Sequence, residues 1–380
     1  MNAKAKRPAP PRRDVEEDVE PENLLGERVE AYPIDKLLVR TEPRTLQDVL
    51  RRIERGAFQL NPDFQREFLW DEATQSRLIE SILMRIPLPV FYLAETDAAL
   101  VVVDGQQRLT TCKRFKKNQL KLKLKRKELD GKAFSELPIE LQDRFEDCQL
   151  TFYLIDKSVP ERVRLDIFER VNSGVPLTRQ QMRNALYNGP ATRLLRELAD
   201  DEAFQRATCK SLSSPKARRE MKDREAINRF VAYYLLGANA YGSGPEAEGE
   251  YDDFLAAGLK AANALDDNKL DVLRKAFLRS MKVNATIFGD NAFRKPARPS
   301  GARNALNLAL FEVFSVGLAK HPMSAQVSNN AAPKIERAMA RLVKEDRFSD
   351  AISYATTRAD NVRTRFRRTE EMLAKVLDVP

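Results

Sequence analysis

The period of the hydrophobic pattern changes along the chain. Leu46, Val49, Leu50 and Ile53 recur at helical spacing, and Gly56 is placed to end that helix. FQLNPDFQREFLW reads as an extended segment broken by Asn61-Pro62. Asp71 is a candidate N-cap for a helix that carries Leu78, Ile79, Ile82 and Leu83 on one face, with Pro87 and Pro89 ending it. VFYLAE and ALVVVD predict two strands. The second is a continuous apolar run, as expected of a strand buried on both faces. Asp104-Gly105 turns the chain into a helix that starts at Gln106 or Gln107 and points Leu109, Cys112 and Phe115 inward. LKLKLK alternates strictly and predicts a strand with a leucine face and a lysine face. CQLTFYLID predicts a further strand.

From Pro160 onward the period is mostly helical. VRLDIFERV would bury Val163, Ile167, Phe168 and Val171. Asn172-Ser173-Gly174 breaks it, and Thr178 with Gln181 fits a capping box for the next helix. Helices then follow to the C-terminus, joined by Gly/Pro-rich loops at YGSGPEAEGE and FRKPARPSGAR. Residues 1–22 hold four prolines and an acidic run, with few large apolar side chains to offset the entropy of ordering. The expected layout is a disordered tail over 1–30, a mixed α/β region over 31–189 and an all-helical region over 190–380. The fold class is α+β.

Composition closes off several chemistries. The sequence has 380 residues and one histidine, His321, so multi-histidine metal sites are excluded. A Ser-His-Asp triad would have to use His321, which sits in a polar stretch beside Pro322. Cys112, Cys148 and Cys209 are far apart and odd in number, which fits a reducing cytoplasm rather than a disulfide framework. No apolar run reaches the ~18 residues of a membrane span.

Three segments carry candidate chemistry. VVVDGQQRLTT places a tight turn at a helix N-terminus, where free backbone N–H groups bind anions. Gly105 would let a phosphate approach the backbone, Gln106 opens the helix, and Gln107 and Arg108 add donors. Asp104 could hold Mg²⁺ or orient Arg108. An ordinary strand-turn-helix, with Asp104 capping and Arg108 solvated, fits that spacing as well. In NPDFQREFLW, Gln65 and Arg66 lie between aromatics just before Trp70, a set that suits a nucleotide's phosphate and base. A packed core segment is the plain alternative. Asn172, Ser173 and Gly174 could cradle a phosphate, or simply cap one helix before a proline stop.

In order along the chain, NPDFQREFLW, LIESILMRIPLPVFYL, VVVDGQQRLTT and IFERVNSGVPLTRQQMRNALYNG closely resemble the bacterial family with the D-G-Q-Q-R signature. That family is best known as the N-terminal domain of GmrSD-type, modification-dependent restriction endonucleases. The resemblance extends to RREMKDREAINRF and IFGDNAFR. It implies a ParB/sulfiredoxin-like core, a pocket that binds and often hydrolyses a nucleoside triphosphate, and a role in phage defence. By position the pocket residues are Gln65, Arg66, Asp104, Gly105, Gln107 and Arg108, then Asn172, Ser173 and Gly174. Phe64 stands where many members have tyrosine, so a hydroxyl contact would be lost. The restriction enzymes cut with a histidine-metal domain. One histidine cannot supply that chemistry, so a separate nuclease subunit or a purely sensing role is implied. A non-catalytic DNA-binding or regulatory subunit is the rival reading; which nucleotide, which DNA modification and which oligomeric state apply is left open.

The charge is concentrated. Ten basic and two acidic residues lie between Lys113 and Lys132, which accounts for +8 of the chain's net +9. The lysine face at Lys121, Lys123 and Lys125 is a candidate DNA-backbone contact, or a guard against edge-to-edge aggregation.

Overall fold

A computed structural model describes residues 18–21, 39–60, 70–97, 99–159, 161–171, 177–242, 251–296, 303–321 and 331–377. They fall in two compact units, one of residues 30–188 and one of residues 189–380 together with 1–29. The first unit is α/β and the second helical.

In the α/β unit the strands are β1 (Val39–Thr45), β2 (Phe58–Gln59), β3 (Phe91–Glu95), β4 (Leu100–Asp104) and β5 (Gln149–Ile155). They form one mixed sheet in the order β1-β5-β3-β4-β2. β3 runs antiparallel to β4 and parallel to β5. β1 is an addition to the elements read from the sequence. VRTEPRT has no apolar alternation, yet it pairs with β5 from Val39↔Ile155 to Thr45↔Gln149. As an edge strand it is held by ladder bonds rather than by burial, and Pro43 is tolerated there.

The helices of this unit are α1 (Leu46–Glu54), α2 (Glu72–Leu83), α3 (Gln106–Lys116), α4 (Ile139–Glu146), α5 (Glu161–Val171) and α6 (Arg179–Leu186). Thr45 caps α1, Asp71 caps α2, and Thr178 with Gln181 forms the capping box of α6. The sheet is buried on both faces. On one, Leu93, Val102 and Phe152 pack with residues of α1 to α4. On the other, Ala94, Val103 and Ile155 pack with α5 and α6. Phe91 and Phe152 sit 5.1 Å apart, and Phe58 and Phe152 5.8 Å. Each such pair adds about 0.5–1.5 kcal/mol beyond its burial.

LKLKLK is not a strand. Leu120 and Leu122 are buried and the lysines exposed, as the alternation predicts. The backbone finds other partners instead of a ladder. Lys123 N–H donates to Ser76 Oγ at 2.9 Å, and Leu124 N–H to Asp130 Oδ1 at 2.9 Å. Alternation records which face is buried; it does not supply a neighbouring strand.

The helical unit contains α7 (Pro190–Asp200), α8 (Glu202–Ala207), α9 (Pro215–Arg219), α10 (Lys222–Leu236), α11 (Tyr251–Asn263), α12 (Asp267–Phe288), α13 (Leu308–Lys320), α14 (Ala332–Leu342), α15 (Asp346–Ala351) and α16 (Ala359–Leu377). Glu312, only 1% exposed, lies inside it. It accepts from Arg229 at 3.1 Å, from Tyr251 at 2.7 Å and from Arg365.

The expected disordered tail needs one correction. Residues 18–21 dock on this unit through Val19, which bridges Leu306 in parallel. Acidic side chains that cannot build a core can still be ordered by cations supplied elsewhere. The rest of the tail lies outside the described residues.

Candidate functional site

The site is built where β4 ends and α3 begins. β4 is short and almost wholly apolar, so its register is fixed by burial on both faces. Its last residue, Asp104, is 30% exposed at the side chain. Gly105 then adopts φ 92°, which reverses the chain into α3. A side chain here is excluded twice. The backbone is left-handed, and a Cβ would lie 2.2 Å from Cδ1 of Phe91. No side chain caps the N-terminus of α3, so this end keeps its affinity for anions.

Arg108 sits on the first turn of α3 and is buried, at 9% exposure. Its Nη2 donates to Asp104 Oδ2 at 2.6 Å and to the Val90 carbonyl at 3.1 Å. Nη1 donates to the Pro89 carbonyl. The guanidinium lies 4.2 Å from the centroid of the Phe91 ring. Burial lowers its pKa, while Asp104 opposes that shift. Arg108 is therefore neither solvated nor open on all sides. Asp104 does not cap α3; it pairs with Arg108 instead. The pair fixes the carboxylate, and Asp104 Oδ1 points to no partner among the described residues.

Gln107 is partly buried, and its Oε1 is enclosed with no hydrogen-bond partner among the described residues. A buried amide oxygen left unpaired costs about 1–3 kcal/mol, so it is unusual outside a site that receives a ligand or water. Gln106 is partly exposed at the helix start. Cys112, one turn further on, is fully enclosed, and burial pushes its thiol far above the usual range. It has no nucleophilic character.

The structure thus brings together Asp104, Gly105, Gln106, Gln107 and Arg108. Trp70 is partly buried and packs against the aromatic side of the sheet. Gln65, Arg66, Asn172, Ser173 and Gly174 lie outside the described residues. Lys121, Lys123 and Lys125 are all exposed on the segment after α3. Lys123 pairs with Glu72, which raises the lysine pKa. Lys116 pairs with Glu146, and Lys117 with Glu54 at 3.2 Å. The basic stripe is partly neutralised along its length. His321 ends α13 in the helical unit as its C-cap residue.

Sequence reasoning missed two contributors. The first is Phe91 with the Pro89 and Val90 carbonyls, which form the seat for Arg108. The signal was present, because Pro89 has no N–H and cannot extend a ladder, leaving its carbonyl available. The second is α6, which packs against β4 and buries Gln180, Arg183 and Asn184 at 2% exposure or less. Gln180 donates to Asn184 Oδ1 at 2.8 Å and accepts from Arg183 Nε at 3.1 Å. Polar residues at i, i+3 and i+4, where apolar ones would be expected, were the available sign.

Among the described residues no group of three or more His, Cys, Asp or Glu could hold a metal ion. No helix among the described residues is long and apolar enough to cross a membrane.

Comparison with known proteins agrees with this geometry. The family model of the GmrSD restriction endonuclease N-terminal domain matches residues 46–188. A search of curated proteins gives no significant match. The matched span begins at α1, ends just after α6 and includes the whole Asp104–Arg108 turn. Residues 46–188, well under half of the 380-residue chain, are therefore similar to the N-terminal domain of GmrSD restriction endonucleases.

Proposed function

We infer that the α/β unit is a nucleotide-binding, NTP-hydrolysing module. The observation that carries this reading is the turn at Gly105. It combines an uncapped helix N-terminus, an enclosed amide oxygen at Gln107, and a carboxylate held in place by Arg108. Backbone N–H groups and the Gln107 side chain would hold phosphate oxygens. Arg108 acts through Asp104, as a positioning residue. Asp104 Oδ1 is left to orient a water, or to meet Mg²⁺ brought by the nucleotide. Mg²⁺ would supply charge neutralisation on the phosphates. Arg66 and Gln65 are the sequence candidates for the transferred phosphoryl and the attacking water. In this reading DNA cleavage belongs to a separate nuclease subunit of a phage-defence system. The single histidine of this sequence supports that division of labour.

The test is nucleotide binding and phosphate release with each NTP and Mg²⁺. Gln107→Ala should weaken binding, and Asp104→Asn should slow release more than it weakens binding. Failure of the wild-type chain to bind any nucleotide would sink the reading.

A second reading, DNA-backbone binding, is favoured by the outward lysines. Lys121 and Lys125 are exposed and carry no ion pair among the described residues. Charge reversal at Lys121, Lys123 and Lys125 should then abolish salt-sensitive DNA binding and spare nucleotide binding.

A further inference from the structure

Arg294 in the helical unit is a buried cation whose countercharge comes from far away in sequence. Its side chain is fully enclosed. Within its own unit's helical region it meets neutral acceptors: the Ala292 carbonyl at 3.1 Å, the Thr208 carbonyl at 3.4 Å and Ser211 Oγ at 2.6 Å. Among the described residues its one carboxylate partner is Asp18, at 2.8 Å and 276 positions distant. Ser211 Oγ also donates to Asp18, and Arg303 reaches the same oxygen at 3.0 Å. A guanidinium enclosed in this way calls for an anion, and the docked acidic segment supplies it.

The ligand is held as a strand. Leu306 N–H donates to the Asp18 carbonyl at 2.6 Å, and Glu20 N–H donates to the Leu306 carbonyl at 2.8 Å. In extended backbone, residues two apart share a face. Asp18 and Glu20 accordingly point the same way. Glu20 accepts from Lys295 at 3.0 Å and from Asn307 at 2.7 Å. The cluster reads two carboxylates two residues apart, together with the peptide backbone between them. The segment does not fill its seat. A cavity of about 250 Å³ lies beside it, lined by Val19, Pro21, Leu212, Ala217, Lys222 and others.

We propose that this cluster is a receptor for an extended acidic peptide of the pattern acid-x-acid, occupied here by the chain's own Asp18-Val19-Glu20. The tripeptide Asp-Val-Glu occurs twice, at Asp14–Glu16 and Asp18–Glu20, so the chain carries two copies of the ligand. Tethering presents such a segment at an effective concentration on the order of mM. An acidic strand from another chain must therefore displace it to bind. The residues of the receptor lie in the helical unit with its docked segment, and the Gly105 turn lies in the other unit.

The test uses the full-length chain and a labelled peptide of residues 12–22. The receptor is emptied by Asp14→Asn, Asp18→Asn and Glu16→Gln with Glu20→Gln. The emptied chain should bind the peptide at least tenfold more tightly than the wild type. Adding Lys295→Glu and Arg303→Glu, both at partly exposed sites, should abolish that gain. Hydrogen exchange at the Leu306 amide checks the fold and the mode together. Its protection should fall in the emptied chain and return with peptide. Equal peptide binding by emptied and wild-type chains overturns the proposal. So does inorganic phosphate that competes as strongly, mole for mole, as the peptide, because the site would then read charge alone.

Discussion

Two buried arginines, one in each unit, are neutralised in opposite ways. Arg108 finds Asp104 four residues back, across one turn. Arg294 finds Asp18 on a segment 276 positions away. The first pair is built into continuous backbone, so it persists whenever β4 and α3 form. The second exists only while the acidic segment stays docked. A local pair fixes geometry for chemistry; a distant one can be exchanged. Glu312 supplies the reference for a permanent charge cluster, with both arginine partners inside the helical unit.

The largest effect is therefore expected at Glu312. Glu312→Gln keeps the shape but leaves Arg365 enclosed without the carboxylate it pairs with, while Arg229 keeps Glu225 at 2.8 Å. Breaking one partner of a buried ion pair costs about 3–5 kcal/mol. Urea unfolding followed by far-UV circular dichroism should show that loss. A loss under about 1 kcal/mol would mean that water reaches the cluster.

Gly105→Ala comes next. It forces a Cβ onto the Phe91 ring and holds alanine at φ 92°. Left-handed strain and overpacking together cost about 2–4 kcal/mol. The chain has one tryptophan, and Trp70 packs against the core that contains Phe91. Its emission reports the unfolding of this unit directly. An unchanged midpoint would show that the turn relaxes, and that its conformation is not what positions Asp104.

How much of this was legible follows the same division. Local events were readable. Asp71 and Thr178 cap the helices assigned to them, and the turn at Asp104-Gly105 falls where the apolar run stops. The fold class and the family match were readable for the same reason, since both rest on contiguous motifs. Long-range pairing was not. β1 carries no apolar signal, because an edge strand is specified by its partner's register. LKLKLK carries a strong signal and yet forms no strand. The docking of Asp18 was invisible because acidic composition reads the same whether or not a distant arginine waits for it. At the candidate site, the sequence named Arg108 as a phosphate donor, and only coordinates show its donors turned onto Asp104, Pro89 and Val90.

Asp223 sharpens the contrast from the acidic side. It is 3% exposed, accepts from the Arg224 backbone N–H at 2.8 Å, and burial raises its pKa to about 6. An unfolded aspartate titrates near 3.8. Between those values the native chain holds more protons, so stability falls as pH rises and stays at its lower level above about pH 6. Asp223→Asn removes the ionised form. It should raise stability by about 1–3 kcal/mol near pH 8, with the gain fading towards pH 4. A gain that is constant with pH would show that packing, not ionisation, is responsible.

The smallest effect is expected at Asp18 itself, and it decides whether the comparison holds. The acidic segment encloses the Arg294 head group, so its departure also admits water and salt anions to that charge. Asp18→Asn should then cost about 1 kcal/mol or less, and the loss should shrink further as salt rises and screens the exposed guanidinium. Asp104→Asn offers the control in the other unit. There the cation stays enclosed by the Pro89 and Val90 carbonyls and the Phe91 ring, so a loss of about 1–3 kcal/mol should persist at high salt. The measurement is the urea midpoint of both variants at low and high salt. If Asp18→Asn proves as costly as Glu312→Gln, and equally indifferent to salt, the segment is a fixed part of the helical core. Its exchange for a second acidic strand would then be ruled out on energetic grounds, because the departing carboxylate would leave a charge that nothing else reaches.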